Sequence, residues 1–473
     1  MIRSFVILAV LSFASGLISM AQSISASESS APARTYHLLR EDDDWSFLAD
    51  PSERRDFWDP VKYIPLRQDR TGWFLSLGGE AREVWEQIGN DNWGQQHLMN
   101  GYLNERYMLL FDFHFGNHVR TFVELKNGLN SFRAGGPRPI DEKKLDFQAA
   151  FLEVATGHQG NWIAFRAGRQ EMEYGSGRLI DVREGPNVRL SFDGFKVGAS
   201  IGRWQIEGFA VRPDLDKSGF FNNVPNHSVG FWGVYGVRPL KKNFIPDTYY
   251  LGLDRKSATF NRGTGHEVRH TFGVRLSVPV AQFNPAWDFD YEAAWQFGTF
   301  GAANIRAWTV ASETGYRLPN LSLKPRFSVK ADISSGDDPR TNTLGTFNAL
   351  FPKGNYFGIL ATAGPGPINF IDIHPRVEVA LPHDVTASFD WIFYWRESPR
   401  DGVYSVPGFL IIPAGKSNAR FVGQRPGVEV RWQANRHLWF QADYGVFYAG
   451  SFVKQSQPTH NLNYWALWTG YRF

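Results

Sequence analysis

The sequence predicts an all-β fold, a transmembrane antiparallel up-and-down β-barrel of 18 strands with long extracellular loops. Three observations predict it. Aromatic residues are 15% of the 473, with 17 Trp and 46 Gly, yet the mean hydropathy is only −0.33, so apolar side chains must be interleaved with polar ones. No apolar run of about 18 residues, the length of a spanning helix, follows the N-terminus. Period-two segments of membrane-crossing length recur instead, as expected where successive side chains face lipid and lumen in turn.

Taken in order, residues 1–21 read as a secretory signal: Arg3 supplies the positive start, Phe5 to Met20 is apolar, and Ser19 and Ala21 sit at small-residue cleavage positions. Removing them takes away one charge, Arg3, and leaves 49 basic residues against 47 acidic, a balance of +2. The absence of cysteine excludes disulfides, thiolate metal sites and cysteine nucleophiles. Residues 22–71 open on a Ser/Ala-rich linker, mix their charges without periodicity, and read as a periplasmic N-terminal lead-in. The barrel is expected over 72–473.

Within that span Val119, Thr121, Val123 and Leu125 alternate with Arg120, Glu124 and Lys126. Val268, His270, Phe272, Val274, Leu276 and Val278 alternate with Arg269, Thr271, Arg275 and Ser277, and Trp287 to Phe297 sets four aromatic rings against Asp288, Asp290, Glu292 and Gln296. Ala387, Phe389, Trp391, Phe393 and Trp395 oppose Ser388, Asp390, Tyr394 and Arg396, and Val428, Val430 and Trp432 oppose Glu429, Arg431 and Gln433. Such segments begin near residues 73, 102, 118, 145, 162, 189, 203, 226, 247, 266, 286, 303, 324, 373, 385, 427, 437 and 464. Short links at Gly116-Asn117, Ser200 to Gly202, Pro382 to Asp384 and Asn435-Arg436 alternate with long ones near 128–144, 172–188, 213–225, 335–372, 397–426 and 448–463. That is the asymmetry of periplasmic turns and outer loops. Two links depart from it: the one after Gly298 is short where a long one is due, and Pro239 to Pro246 exceeds a turn. The chain closes on Tyr464 to Phe473 with Trp465, Leu467, Tyr471 and the terminal Phe473 on one face, which resembles the signal read by outer-membrane assembly machinery. Outer-membrane location follows.

The segments REDDDWSFLAD, VKYIPL, LSLGGEAREVWE, GRQEMEYGSGRLIDVREGPNVRLSFDGF, SSGDD, TFNALFPKGNYFG and YGVFYAGSF resemble the alginate export family of outer-membrane barrels, over most of the chain that follows the signal. The resemblance implies an 18-stranded exporter that passes an anionic polysaccharide, and an exporter implies periplasmic export proteins as partners. Family membership speaks to architecture more firmly than to cargo.

A conduit for polyuronate should present excess Arg and Lys, because fixed cations lower the cost of bringing carboxylates into a low-dielectric-walled pore. Lumen-parity strand positions carry Arg82, Arg106, Arg120, Lys126, Arg269, Arg275, Arg326, Lys330, Arg376, Arg396 and Arg431, against Glu80, Asp112, Glu124, Glu267, Asp288, Asp290, Glu292, Asp332, Glu378, Asp390, Glu429 and Asp443. The sums are near parity and give no bulk selectivity. Location matters more. Arg166, Arg169, Arg178, Arg183 and Arg189 fall close together with Glu171, Glu173, Asp181, Glu184 and Asp193. If the loop among them folds inward they make a local arginine constriction, whose planar forks suit carboxylates. The candidate pore residues are Arg82, Arg106, Arg120, Arg166, Arg169, Arg183, Arg189, Asp193, Arg326, Arg396 and Arg431. The loop 335–372 carries Asp337, Asp338, Lys353, Phe347, Phe351 and Phe357, rings able to stack on sugars or to pack the loop against the rim.

Enzymatic chemistry is not expected. His114 beside Asp112 is the nearest approach to a hydrolytic pair, and no serine stands at a fixed spacing from it. SGDDP lacks the regular oxygen ligands of a calcium loop, and YGSG lacks the context of a phosphate cradle, so neither metal nor cofactor is expected. Near-neutral charge and lipid-facing rings argue against nucleic acid. The expected contacts are outer-membrane lipid and an anionic polysaccharide or sugar-acid solute. Three readings stay open: polysaccharide exporter, general or solute-selective porin, and plugged structural barrel.

Overall fold

A computed structural model describes residues 34–473 except 68, 71, 159, 241–243, 280–283, 355–363 and 416; the expected signal, 1–21, lies outside the described residues. The alternation becomes a wall of 18 strands: β1 (Trp73–Gly89), β2 (Met99–Phe115), β3 (Val119–Ser131), β4 (Lys143–His158), β5 (Asn161–Gln170), β6 (Phe192–Ile201), β7 (Trp204–Leu215), β8 (Val229–Val237) and β9 (Ile245–Phe260). The wall continues with β10 (Gly263–Val278), β11 (Trp287–Phe300), β12 (Ala303–Arg317), β13 (Arg326–Ser334), β14 (Phe370–Leu381), β15 (Val385–Trp395), β16 (Phe421–Gln433), β17 (Leu438–Ala449) and β18 (Leu462–Arg472). Neighbours are antiparallel throughout, and β18 returns to pair with β1, Tyr471 opposite Ala81. Closure leaves no unpaired edge, which hydrocarbon would penalise. Each expected start falls on one wall strand; the largest offset is at β16, which begins at Phe421 rather than near 427.

Phe272, Val274, Trp295 and Phe297 face outward, and Arg269, Thr271 and Gln296 are fully buried inward. The short link after Gly298 is a real hairpin, Phe300 pairing directly with Ala303, and Phe260 pairs with Gly263 in the same way at the preceding outer turn. Both hairpins are capped by loops arriving from elsewhere.

The loop 171–191 folds into the barrel. Its YGSG segment is a tight reversal, with Gly175 and Gly177 at φ +61° and +72° and the Gly177 N–H donating to the Tyr174 carbonyl at 3.0 Å. A side chain at Gly175 would also stand 2.7 Å from the Tyr235 hydroxyl, so only glycine fits. Beyond it the loop pairs with the loop after β13: Asp181 N–H donates to the Phe351 carbonyl at 3.0 Å, and Phe351 N–H to the Leu179 carbonyl at 2.9 Å. Met172, Leu179, Ile180, Phe347 and Leu350 thereby cover an apolar inner wall of Phe209, Phe231, Tyr235, Tyr249 and Leu251. At about 1.5–3 kcal/mol for each large side chain buried, that core holds both loops inside. It also explains β8, VGFWGVYGV, which is apolar on both faces: Phe231 and Tyr235 enter the core while Val234 meets lipid. A third loop, 396–420, carries a short strand pair, Val403–Tyr404 with Leu410–Ile412. Asp401 ties it down, accepting from Thr346 Oγ1 at 2.6 Å and Asp337 N–H at 2.9 Å.

The opposite end bears the short turns and is the periplasmic one. There residues 34–66 enter the barrel mouth. Arg40 donates to the carbonyls of Gly79 and Phe473 at 3.2 and 3.0 Å, and Glu41 meets Arg166 at 2.5 Å. Trp58 stacks on Phe473 with ring centres 4.2 Å apart and donates to the Tyr471 hydroxyl at 2.7 Å.

Candidate functional site

Loops and lead-in fill only part of the lumen. Between them and the wall from β14 round to β1 runs a cavity of about 1470 Å³, reaching from Arg34, Tyr36 and His437 near the periplasmic mouth to Ser405, Pro407 and Phe409 of the outer loop. Period two places Arg425, Glu429, Arg431 and Gln433 of β16 on its surface beside Gln441 and Asp443 of β17; Glu184 and an apolar patch of Leu253, Leu350 and Phe351 also line it. Among the described residues its lining holds ten arginines (Arg34, Arg82, Arg138, Arg183, Arg255, Arg376, Arg425, Arg431, Arg436 and Arg472), no lysine, and seven carboxylates (Glu86, Glu184, Asp214, Asp216, Asp390, Glu429 and Asp443).

The arginines differ in how far they are already satisfied. Arg425 gives one nitrogen to Asp390 at 2.6 Å, a carboxylate that also holds His374 at 2.6 Å, and its Nε and second terminal nitrogen are buried without a hydrogen-bond partner. Arg431 lies over the Trp439 ring at 4.9 Å. Arg376 is 3.3 Å from Glu378 and 3.8 Å from Glu429. Arg183 adopts a left-handed backbone, φ +58°, uncommon for a residue with a side chain. It donates from Nε to the Pro352 carbonyl at 3.3 Å. Burial brings it down to about 10, with Asp181 pulling the other way, so it stays cationic at neutral pH.

At the tip of the inward loop, Glu184 is gathered by arginines. Arg106 reaches its carboxylate at 2.5 Å, Arg189 at 3.4 Å, Arg82 at 3.6 Å and Arg472 at 3.8 Å. Burial opposes its ionisation, but the guanidiniums of Arg106, Arg189 and Arg82 outweigh that and hold it below the usual carboxylate range. Arg82 also donates to the Glu184 and Pro186 carbonyls at 2.6 and 3.1 Å.

Of the residues singled out from sequence, Arg82, Arg183 and Arg431 line the cavity, and Arg106 and Arg189 stand behind Glu184. Arg120 pairs with Asp112 at 2.8 Å and donates to the Glu41 carbonyl at 2.6 Å; with Arg166 it receives the lead-in. Arg169 pairs with Asp193 at 3.0 Å and with Asp214 at 3.2 Å. Arg326 pairs with Asp288 and Glu313, both at 3.2 Å. Arg396 donates to the carbonyls of Asp401 and Ser417, both at 2.9 Å, and lies 3.6 Å over Phe452, so it fastens an outer loop. Sequence reasoning passed over Arg425, Arg436, Arg472 and Glu184 itself. Arg425 precedes the start assigned to β16 yet shares the parity of Glu429 and Arg431, and Arg472 shares that of Tyr464 and Trp468; both signals were readable.

The other motifs have local explanations. Asp337 is held by Arg262 at 2.7 Å, and Asp338 by Arg340 and Arg400 at 2.7 and 3.2 Å. His114 and Arg120 share Asp112. Phe347 is core and Phe351 packs against it; Phe357 lies outside the described residues.

A closed 18-strand barrel with an apolar, aromatic exterior and a charged cavity running between its mouths is an outer-membrane channel. Residues 74–466 match the alginate export model, and the chain belongs to the alginate export family. Its fold is similar to that of Pseudomonas aeruginosa OpdQ (TM-score 0.58, 11% identity, 87% of this chain and 99% of that one) and of Acinetobacter baumannii OccAB1 (0.57, 10%, 88% and 99%). It is also similar to that of P. aeruginosa OccK5, or OpdH (0.54, 14%, 84% and 98%). No curated protein matches the sequence.

Proposed function

We propose that this channel moves a carboxylated saccharide, an anionic polysaccharide or related sugar acids, across the outer membrane. The observation that carries the reading is the cavity lining: ten arginines against seven carboxylates, with no lysine. Fixed guanidiniums in a low-dielectric wall attract carboxylates and meet them with two parallel donors. On this reading residues 1–21 direct export, 22–71 form a periplasmic lead-in that docks in the mouth, and 72–473 form the barrel. A bore narrowed by three loops and a docked segment suits a conduit opened on demand, with periplasmic export proteins as partners. The second reading, a general or solute-selective porin, draws support from the cavity's reaching residues at both mouths.

Planar-bilayer recordings under a salt gradient separate the two. The polyanion conduit predicts anion selectivity, block by a soluble oligouronate, and loss of much of both in the Arg183→Ala/Arg431→Ala double variant. An unselective channel indifferent to uronate and to these changes sinks the polyanion reading and leaves the porin.

A further inference from the structure

The inward loop carries its own carboxylate into the most cationic part of the conduit. Arg82, Arg106, Arg189 and Arg472 surround Glu184, and their other close carboxylates are Glu80, on Arg106 and Arg472 at 2.5 and 2.7 Å, and Glu171, on Arg189 at 2.7 Å. Four cations therefore face three carboxylates, and without Glu184 they would face two. Of this group Glu184 is the accessible anion: its side chain is 27% exposed, while those of Glu80 and Glu171 are 4% and 0% exposed. One of its oxygens makes no hydrogen bond. The backbone that presents it is held independently, by Arg82 on the Glu184 and Pro186 carbonyls and by Asn187 on three wall and loop carbonyls. Beside it the position of a Gly185 side chain is open space. The carboxylate can thus swing away by side-chain rotation while the loop stays docked.

We propose that Glu184 is a tethered occupant of a carboxylate-binding site formed by Arg82, Arg106 and Arg472, and that a carboxylate of the passing solute displaces it. The proposal rests on the carboxylated-saccharide reading for the identity of the solute, but not for the site. Exchange of one carboxylate for another keeps the local charge constant, so the arginines are never left buried and unpaired, the state that costs most. The tether sets a threshold: solutes without a carboxylate do not compete for the arginines.

The test uses full-length protein in planar bilayers, with heat-modifiable electrophoretic mobility confirming a folded barrel. Glu184→Gln keeps shape and removes charge, and it should lower the half-blocking concentration of an oligouronate about tenfold. Glu184→Ala opens the site, and acetate at roughly millimolar to tens of millimolar should then reduce its current while leaving the wild type unaffected. An unchanged half-blocking concentration in Glu184→Gln, or an equal acetate response in Glu184→Ala and wild type, overturns the proposal. A wild-type channel that neither selects anions nor responds to uronate defeats the broader functional reading, and the acetate comparison still decides the role of Glu184.

Discussion

Asn187 is the pin that keeps the inward loop in the lumen, and its removal has a calculable effect. Its side chain is 1% exposed, and its amide nitrogen donates to the carbonyls of Glu105 and Leu129, each at 3.0 Å, and of Asp141 at 2.8 Å. An amide has two hydrogens, so one is shared among three acceptors. Asn187→Ala deletes about two net bonds at about 1 kcal/mol each and leaves buried carbonyls unsatisfied, a total of about 2–3 kcal/mol. That multiplies the population with the loop released by roughly 30–100-fold. Asn187→Asp, the same shape with no donor and a charge facing three carbonyl oxygens, should release it further. Single-channel recording should show new high-conductance openings, more frequent in Asn187→Asp, and limited proteolysis should cut within residues 183–190 sooner than in wild type. Gating and protease resistance identical to wild type in both variants would refute the pinning argument.

Two further predictions concern the segments that close the two mouths. Lys62 is fully buried in the docked lead-in, its ammonium without a hydrogen bond and 5.4 Å from the Trp45 and Phe473 rings; burial, reinforced by Arg40, brings it down to about 7. The docked form is then neutral between about pH 7 and 10.5 while the undocked form is charged, so docking strengthens as pH rises through that window and is weakest below 7, by at most on the order of 5 kcal/mol. Protease accessibility of residues 34–66 should fall from pH 6.5 to 9, and Lys62→Met should abolish the dependence. At the outer mouth, Asp401→Asn replaces an acceptor oxygen with a donor against Thr346, Asp337 N–H and Tyr404, whose hydroxyl lies 2.6 Å away. The outer loop should loosen by about 2–3 kcal/mol, read as faster proteolysis within residues 397–420 with no change in heat-modifiable mobility.

Most of the wall was legible because each strand must face lipid on one side. Phe272 and Trp295 obey that rule directly. Legibility failed where the inner face is not water. In β8 the loops present a second apolar surface, so both faces are apolar and period two fades; only the flanking strands kept the count at 18. For the same reason the lead-in could be recognised by its lack of periodicity, while its entry into the mouth could not, since Glu41 finds Arg166 across 125 residues. Arg106 and Arg189 were visible as cations, but their common hold on Glu184 joins three separate segments and has no sequence period.

The near-equality of lumen charges was also true and uninformative. Arg275 is spent on Asp247 and Asp290 at 2.8 and 2.5 Å, Arg269 on Glu267 at 2.6 Å, and Arg326 on Asp288, all in the wall that the apolar core and inward loops cover. Such pairs count equally for both signs, yet a permeating ion never meets them unscreened. They brace the barrel, because a buried charge is tolerable only when paired. A barrel of 18 strands is wide enough to leave an aqueous channel, so a loop-filled half lets one lumen serve as packed core and as pore. The arginine excess survives only along the unfilled half, from Arg376 through Arg425 and Arg431 to Arg472. Selectivity in this fold is therefore set by which wall the loops leave bare, and a loop variant that shifts them should change ion preference without altering a single charge.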